Sequence, residues 1–505
     1  MKTVAIKDNV YWVGGQDPNL KIFDIVIPTE HGTSSNAYLV KGTEKTALIY
    51  TVKSGSFAEY PKDLPKPVDI NQIDEFRHHT DDHFVVVGGG IAALSAAEAI
   101  RCRNNTARIT MVSDEAALPY YRPALSDYLG EELAEEKFYV KRPSWYDEQR
   151  IEVIIATSVK AINSSKRELF LSNGEKMAYN RLILATGARS NIPDIPGVDC
   201  EGVYALRSYK DVQTIKAVLE QVGQVVIIGG GVLGLEAAWE MSRLGKQVAI
   251  IEHNSRLMPR QLDADASQRL ETLVRQHGVQ LHLARDVRCL QGSPRVSSVK
   301  LTDGQVLNAD LVLLSTGVKP NLELAQAAGI ETDRGIVVDA GMRTSASDIY
   351  AAGDVAQFAG NLIGLWPTAM EMGRIAGANA AGDWQEYHPP TLSTLLVAFD
   401  MEVFSRGEVN PSQEETRVVE VWDPVENYYK KSFIKDGILI GEIVIASRVA
   451  AGASVTGLGR NAAGNRKVVG WGCRVCGCQH ERPEPPEVCP ACGAGRDVID
   501  PIYTK

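Results

Sequence analysis

Cys473-Arg-Val-Cys476, twelve further residues, then Cys489-Pro-Ala-Cys492-Gly493: near the C-terminus, residue type and spacing specify a chemistry most plainly. Two C-x-x-C pairs at this separation set four thiolates at the corners of a tetrahedron. Such a closed site suits zinc or a single iron. Zinc would make it structural, and iron would make it a one-electron redox centre. Three other cysteines, Cys102, Cys200 and Cys289, are scattered singly and read as small packing residues; Cys478 lies inside the metal segment and reads as a bystander.

A second chemistry is written twice in glycine. Phe84-Val-Val-Val87 runs into Gly88-Gly89-Gly90-Ile-Ala-Ala93 and then a helical stretch to Ile100. Val225-Val-Ile-Ile228 runs into Gly229-Gly230-Gly231-Val-Leu-Gly234 and a helix through Leu244. The first glycine of each copy permits a tight turn. The second lets backbone N–H groups approach a pyrophosphate at the helix N-terminus. The third position, Ala93 or Gly234, allows close packing of helix on strand. Each copy is followed by a second strand ending in an acid that takes ribose hydroxyls: Asp114-Glu115 after the first, Glu252 after the second. Two such β-α-β units about 140 residues apart make an internal duplication, and two dinucleotides. Glu252 favours NAD over NADP because a carboxylate repels a 2′-phosphate, although Arg256 lies four residues on.

Three more strands end in small residues where a cofactor would cross a sheet. They are Arg181–Leu184 running into Thr186-Gly187, Asp310–Leu314 running into Thr316-Gly317, and Ile349–Ala351 running into Gly353-Asp354. The chain that must position all of this has 505 residues, enough for about three or four domains, with 44% apolar and 23% charged residues. A net charge of −10 argues against nucleic acid. No stretch approaches the ~18 consecutive apolar residues of a membrane span, and the opening residues lack a signal-peptide core. The expectation is a cytoplasmic protein with reduced thiols and no membrane association.

Taken together, these residues resemble the two-dinucleotide flavoprotein disulfide-reductase superfamily, and within it the NADH-dependent rubredoxin and ferredoxin reductases. Leu118-Pro-Tyr-Tyr-Arg122-Pro123-Ala-Leu-Ser126, Ala-Gly353-Asp354 and Leu365-Trp366-Pro367 carry the resemblance, which covers roughly residues 84–455. It implies an α/β fold: two Rossmann-like domains, one for FAD (84–204 and 316–388) and one for NAD (205–315), and a small α+β domain (389–455) of a kind that can mediate a homodimer. It implies that Gly88, Gly90, Ala93, Thr186, Gly187, Gly353 and Asp354 serve FAD. Asp114 or Glu115 would take its adenosine ribose, and Arg122, Pro123, Trp366 and Pro367 would lie near the flavin. Gly229, Gly231, Gly234, Glu252 and Gly317 would serve NADH. No side chain is required as a catalytic acid or base. Relatives that pass electrons through thiols carry cysteine beside the flavin, yet residues 113–160 contain none, so electrons must leave to an external acceptor or oxygen. Many relatives have lysine after Leu125-Ser126, where this chain has Asp127.

Trp471 to Tyr503 resembles a rubredoxin-like domain (470–505) of the short-loop form found in rubrerythrins, reached through a glycine-rich linker (456–469). With a reductase upstream that needs an outlet, Cys473, Cys476, Cys489 and Cys492 are expected to hold iron rather than zinc. The expected function is transfer of electrons from NADH through FAD to this iron and on to a flavodiiron protein, a rubrerythrin or rubredoxin, in defence against oxygen, peroxide or nitric oxide. Two alternatives keep the cysteines as a structural zinc ribbon: a peroxide-forming NADH oxidase, or a flavin redox sensor. Residues 1–80 pose a separate question. Val10-Tyr-Trp-Val-Gly14 and His31 to Val40 resemble the opening strands of flavodiiron proteins, and His78-His79-Thr80-Asp81-Asp82-His83 overlaps their H-x-E-x-D-H metal motif with Thr80 in place of glutamate. Too few residues precede the flavoprotein for that domain, so the segment reads as a truncated relic or a small β-module, with a polar linker.

Overall fold

The computed structural model describes residues 82–131, 138–412, 416–425 and 427–447, and the backbone of several strands on either side. Upstream, Val4–Lys7, Val10–Trp12, Ala37–Lys41 and Thr46–Tyr50 pair in that order as an antiparallel four-stranded sheet, within a unit of its own. Downstream, Val468–Cys473 pairs on one side with Gln479–His480 and on the other with Ile499–Tyr503. Cys476, Cys489, Cys492, His78 and His79 lie outside the described residues.

The first parallel sheet is built from β1 (His83–Val87), β2 (Arg108–Val112), β3 (Ile151–Ile154), β4 (Arg181–Leu184) and, from far along the chain, Ile349–Ala351. Ile349–Ala351 lies at one edge beside β4, and the order continues β1, β2, β3. Residues Phe84 to Val87 are at most 5% exposed, as expected for a strand covered on both faces. His83, the last histidine of the N-terminal run, is a sheet residue. Its amide donates to Asn180 Oδ1 (2.8 Å) and its ring Nε2 lies 2.9 Å from Thr110 Oγ1.

The second sheet repeats the plan with β5 (Val203–Ala205), β6 (Gln224–Ile228), β7 (Gln247–Glu252), β8 (Gln280–Leu283) and β9 (Leu311–Leu314), in the order β5-β9-β6-β7-β8. The helices that open from the glycine turns are α1 (Ile91–Arg103) and, after the short α2 (Asp127–Gly130) and α3 (Tyr209–Leu219), α4 (Val232–Arg243). A long helix, Trp366–Ala380, crosses α1 at backbone contact: a Cβ on Gly373 or Gly377 would come within 2.2 Å of the Ala92 or Ala96 carbonyl oxygen. Glycines and alanines four apart on facing helices let the axes approach closely, which brings the N-terminus of this helix to the first glycine turn. The chain then forms an antiparallel sheet of Ser393–Ala398, Met401–Gly407, Ile438–Ser447, Tyr428–Lys435 and Arg417–Asp423, in that spatial order. Lys431 of this sheet reaches the N-terminus of helix Ala264–Gln276, where Asp263 (2.5 Å) and Asp265 (2.6 Å) receive it.

Candidate functional site

Both glycine turns open into one cleft of about 3230 Å³. At Gly88 the backbone takes φ +143°, and an added Cβ would sit 2.1 Å from Ala185 O; at Gly229 φ is +116° and the same atom would sit 2.2 Å from Ser315 O. Only glycine satisfies those turns. Gly90 and Gly231 differ in kind. An added Cβ at either would meet no protein atom within 4 Å, so space is left beside the backbone where a phosphate would have to approach. The third positions pack inward. Ala93 is fully buried, and a Cβ on Gly234 would sit 2.1 Å from Gly229 O.

The acids behave differently in the two halves. Glu252 is 7% exposed and stitches the end of β7 to its glycine turn. Its Oε2 accepts from Gly230 N (2.6 Å), and its Oε1 accepts from Asn254 N (2.7 Å) and Nδ2 (2.6 Å). Arg256 donates instead to Pro259 O (3.2 Å) and Asn410 Oδ1 (3.4 Å), and Arg285 pairs with Asp303 (2.7 Å). In the first half, Asp114 is exposed on the cleft and has no partner among the described residues. Glu115 is committed to the arm that follows it. It accepts from Arg122 Nη2 (2.5 Å) and Tyr120 Oη (2.6 Å). Burial opposes the charge on Arg122, but Tyr120 and Glu115 more than restore it and hold its pKa above the ordinary arginine value. Burial in turn pushes the Tyr120 phenol up.

From Arg122 a polar chain continues across the cleft. Arg122 Nη1 donates to Arg207 O (2.7 Å), and Arg207 Nη2 pairs with Asp354 Oδ2 (2.5 Å). Arg207 had no motif to announce it. Its only local signal is the capping box of α3 beside it, formed by Ser208 and Asp211. The two Thr-Gly strand ends are joined: Ala188–Ser190 pairs antiparallel with Val318–Pro320, and Asn321 Nδ2 donates to Thr186 O (2.8 Å). Gly187 and Gly317 take φ +62° and +87° at the start of that ribbon.

Of the residues assigned from sequence to FAD, to the flavin's surroundings or to NADH, all but Ala93 and Gly234 line the cleft, including Pro123, Thr186, Gly353, Trp366 and Pro367. Trp366 stacks edge-on against Tyr121 (5.2 Å between centroids), and its indole N–H is buried without a partner. That orphaned donor, the free space at Gly90 and the unpartnered Asp114 fit a bound dinucleotide in the first half. The free space at Gly231 and the Gly230–Glu252 pair fit one in the second. Among the described residues no cysteine lines the cleft.

The sequence profile of a family described as pyridine nucleotide-disulphide oxidoreductase matches residues 82–373. Profiles for a rubredoxin NAD+ reductase C-terminal domain and a rubrerythrin rubredoxin-like domain match residues 393–448 and 471–498. A NADH-rubredoxin oxidoreductase of Clostridium acetobutylicum is 30% identical over 369 residues, 72% of this chain and 92% of the relative. An assimilatory nitrate reductase electron transfer subunit of Bacillus subtilis is 32% identical over 362 residues, 71% of this chain, which spans only about half (47%) of that relative's length. Among solved structures, a ferredoxin reductase from Rhodopseudomonas palustris superposes with a TM-score of 0.67 at 29% identity, covering 72% of this chain and 91% of the other. No helix among the described residues is long and apolar enough to cross a membrane.

Proposed function

Because this chain belongs to the pyridine nucleotide-disulphide oxidoreductase family, we propose that it carries electrons from NADH through FAD to an iron held by Cys473, Cys476, Cys489 and Cys492. The onward acceptor is a protein, either a flavodiiron protein, a rubrerythrin or free rubredoxin, and the role is removal of oxygen, peroxide or nitric oxide. The observation that carries this reading is a single cleft that joins two glycine turns and has no cysteine on its described wall, in a chain that also holds a rubredoxin-like segment. FAD, when bound, accepts a hydride and releases electrons one at a time. The chain's own contribution is placement. Gly90, Gly231 and their helix N-termini receive the two pyrophosphates, Asp114 and Glu252 take the riboses, and the Glu115–Arg122–Arg207–Asp354 chain fixes the wall between them. The NADH-rubredoxin oxidoreductase relative supports the rubredoxin-type outlet.

The test is a spectrum and a metal analysis of the purified protein. Iron bound by four thiolates gives visible charge-transfer bands beside those of the flavin, and anaerobic NADH bleaches both. Cys476→Ser removes the iron bands and leaves the flavin reducible. Zinc in the four-cysteine site, or iron that stays oxidised while the flavin is reduced, overturns the internal route and leaves a peroxide-forming oxidase or a redox sensor.

A further inference from the structure

The antiparallel sheet ends on strand Arg417–Asp423. This strand pairs with Tyr428–Lys435 on one side and with no strand among the described residues on the other. It is seven residues long and lacks the proline, lysine or bulge by which open edges are commonly blunted. Val418, Val419, Val421 and Trp422 stand exposed along it. With Val425 in the turn that follows and Ile438 and Leu439 beside the next, they make up half of the large apolar side chains exposed among the described residues. Exposed apolar residues scattered singly are ordinary, but a cluster on an open strand edge marks a docking surface.

The strand's own sequence identifies what fits it. A two-fold axis perpendicular to a sheet keeps each face on its own side, so an edge strand meets its copy only through residues of the same face. Centred on Glu420, such an axis matches the whole strand. Arg417 meets Asp423, Val418 meets Trp422, and Val419 meets Val421. An axis at Val419 or Val421 sets Glu420 against Val418 or Trp422 and leaves Arg417 and Asp423 apart. Glu420 meets itself, which is unfavourable, but in each chain it lies 3.8 Å from Arg269 of helix Ala264–Gln276. That guanidinium is held over Trp422 (4.3 Å) and Tyr429 (4.4 Å). The same axis carries Val425 of each copy to the end where Ile438 and Leu439 of the other lie.

We infer that Arg417–Asp423 is a self-docking edge, on which two copies of this chain pair antiparallel about Glu420 and join their five-stranded sheets into one. Main-chain hydrogen bonds supply the attraction, and the Arg417–Asp423 pairs at the two ends fix the register. Ser393–Ala398, which lines the cleft, is the opposite edge of the sheet, so the pairing leaves both clefts open.

The experiment uses the FAD-loaded full chain. Sedimentation velocity between about 1 and 100 µM should show monomer passing to dimer as concentration rises. Arg417→Glu and Asp423→Lys should each weaken the dimer about 5- to 30-fold, because each sets like charges opposite one another at both ends. An equimolar mixture of the two variants should regain it, since opposite charges then face each other again. Hydrogen exchange should show Arg417–Asp423 gaining protection as the dimer forms. A monomer at every concentration overturns the inference, as does a dimer that neither variant weakens or that the mixture does not regain. Full protection already present in the monomer would place another segment of the same chain on this edge and overturn it as well.

Discussion

Gly229 and Gly231 are two residues apart, yet substitution by alanine should do opposite things. At Gly231 a new methyl group meets no protein atom within 4 Å, and the backbone is extended at φ −83°, which alanine adopts without strain. As N-cap of α4, alanine costs about 0.5–1 kcal/mol relative to a better cap. The loss of unfolded-state freedom returns about 0.4–1 kcal/mol. Stability should therefore stay within about 0.5 kcal/mol of the starting protein, a melting shift of roughly 2 °C or less. Binding is another matter. The methyl occupies the space where a pyrophosphate would approach, at about 1–3 kcal/mol for overpacking. One charge-assisted bond from backbone N–H to phosphate is also weakened, for a total of about 2–4 kcal/mol. That is roughly 30- to 700-fold in the dissociation constant of NAD+. At Gly229 the same methyl would sit 2.2 Å from Ser315 O at φ +116°, so Gly229→Ala should damage the fold itself. Differential scanning fluorimetry and NAD+ titration separate the two. If Gly231→Ala binds NAD+ as tightly as the starting protein, no dinucleotide approaches that turn. If it melts as low as Gly229→Ala, the space beside it is not free.

Asp114→Asn should leave the apoprotein's melting temperature unchanged and weaken FAD about 5- to 30-fold by fluorescence titration, since its carboxylate has no protein partner to lose. Glu115→Gln should do the reverse. It breaks the contacts to Arg122 and Tyr120 and lowers stability by about 1–3 kcal/mol; equal loss of FAD in both variants would refute the division of labour. Glu236→Gln should stabilise the protein in a pH-dependent way. The unfolded carboxyl ionises near pH 4.3, roughly, whereas the folded one ionises at about 8, so the folded state holds the extra proton between those values and stability declines as pH rises through them. The variant should match the starting protein at pH 4 and exceed it by about 1–3 kcal/mol at pH 8, a figure already reduced for water reaching the cleft. A difference that does not change with pH would count against it.

The parts of this fold that are local in sequence could be read from it. A β-branched run, three glycines and a small-residue helix are consecutive in the chain, and Phe84 to Ala97 or Val225 to Ala238 contain everything needed to form the turn. What joins the pieces is not local. Gly373 and Gly377 meet Ala92 and Ala96 some 280 residues away, and neither pair means anything without the other. Thr186-Gly187 and Thr316-Gly317 each read as a strand end, yet the structure binds the two ends into one ribbon. The choice between Asp114 and Glu115 as the open acid was undecidable from adjacent carboxylates. It is decided by Arg122 and Tyr120, which fold back onto one of them.

Asp127 shows how a departure in sequence acquires meaning. Alone it says only that an acid stands where a lysine is usual in the resembled family. Glu236 alone reads as an ordinary member of an amphipathic helix. The fold sets α2 against α4, with Ser126 bonded to Glu236 and Asp127 beside it. A lysine at that position could pair with Glu236; the exposed Asp127 cannot, and its charge adds to the burial that raises the Glu236 carboxyl. The change therefore alters the charge beside Glu236, and pH-dependent melting is the measurement that reads it.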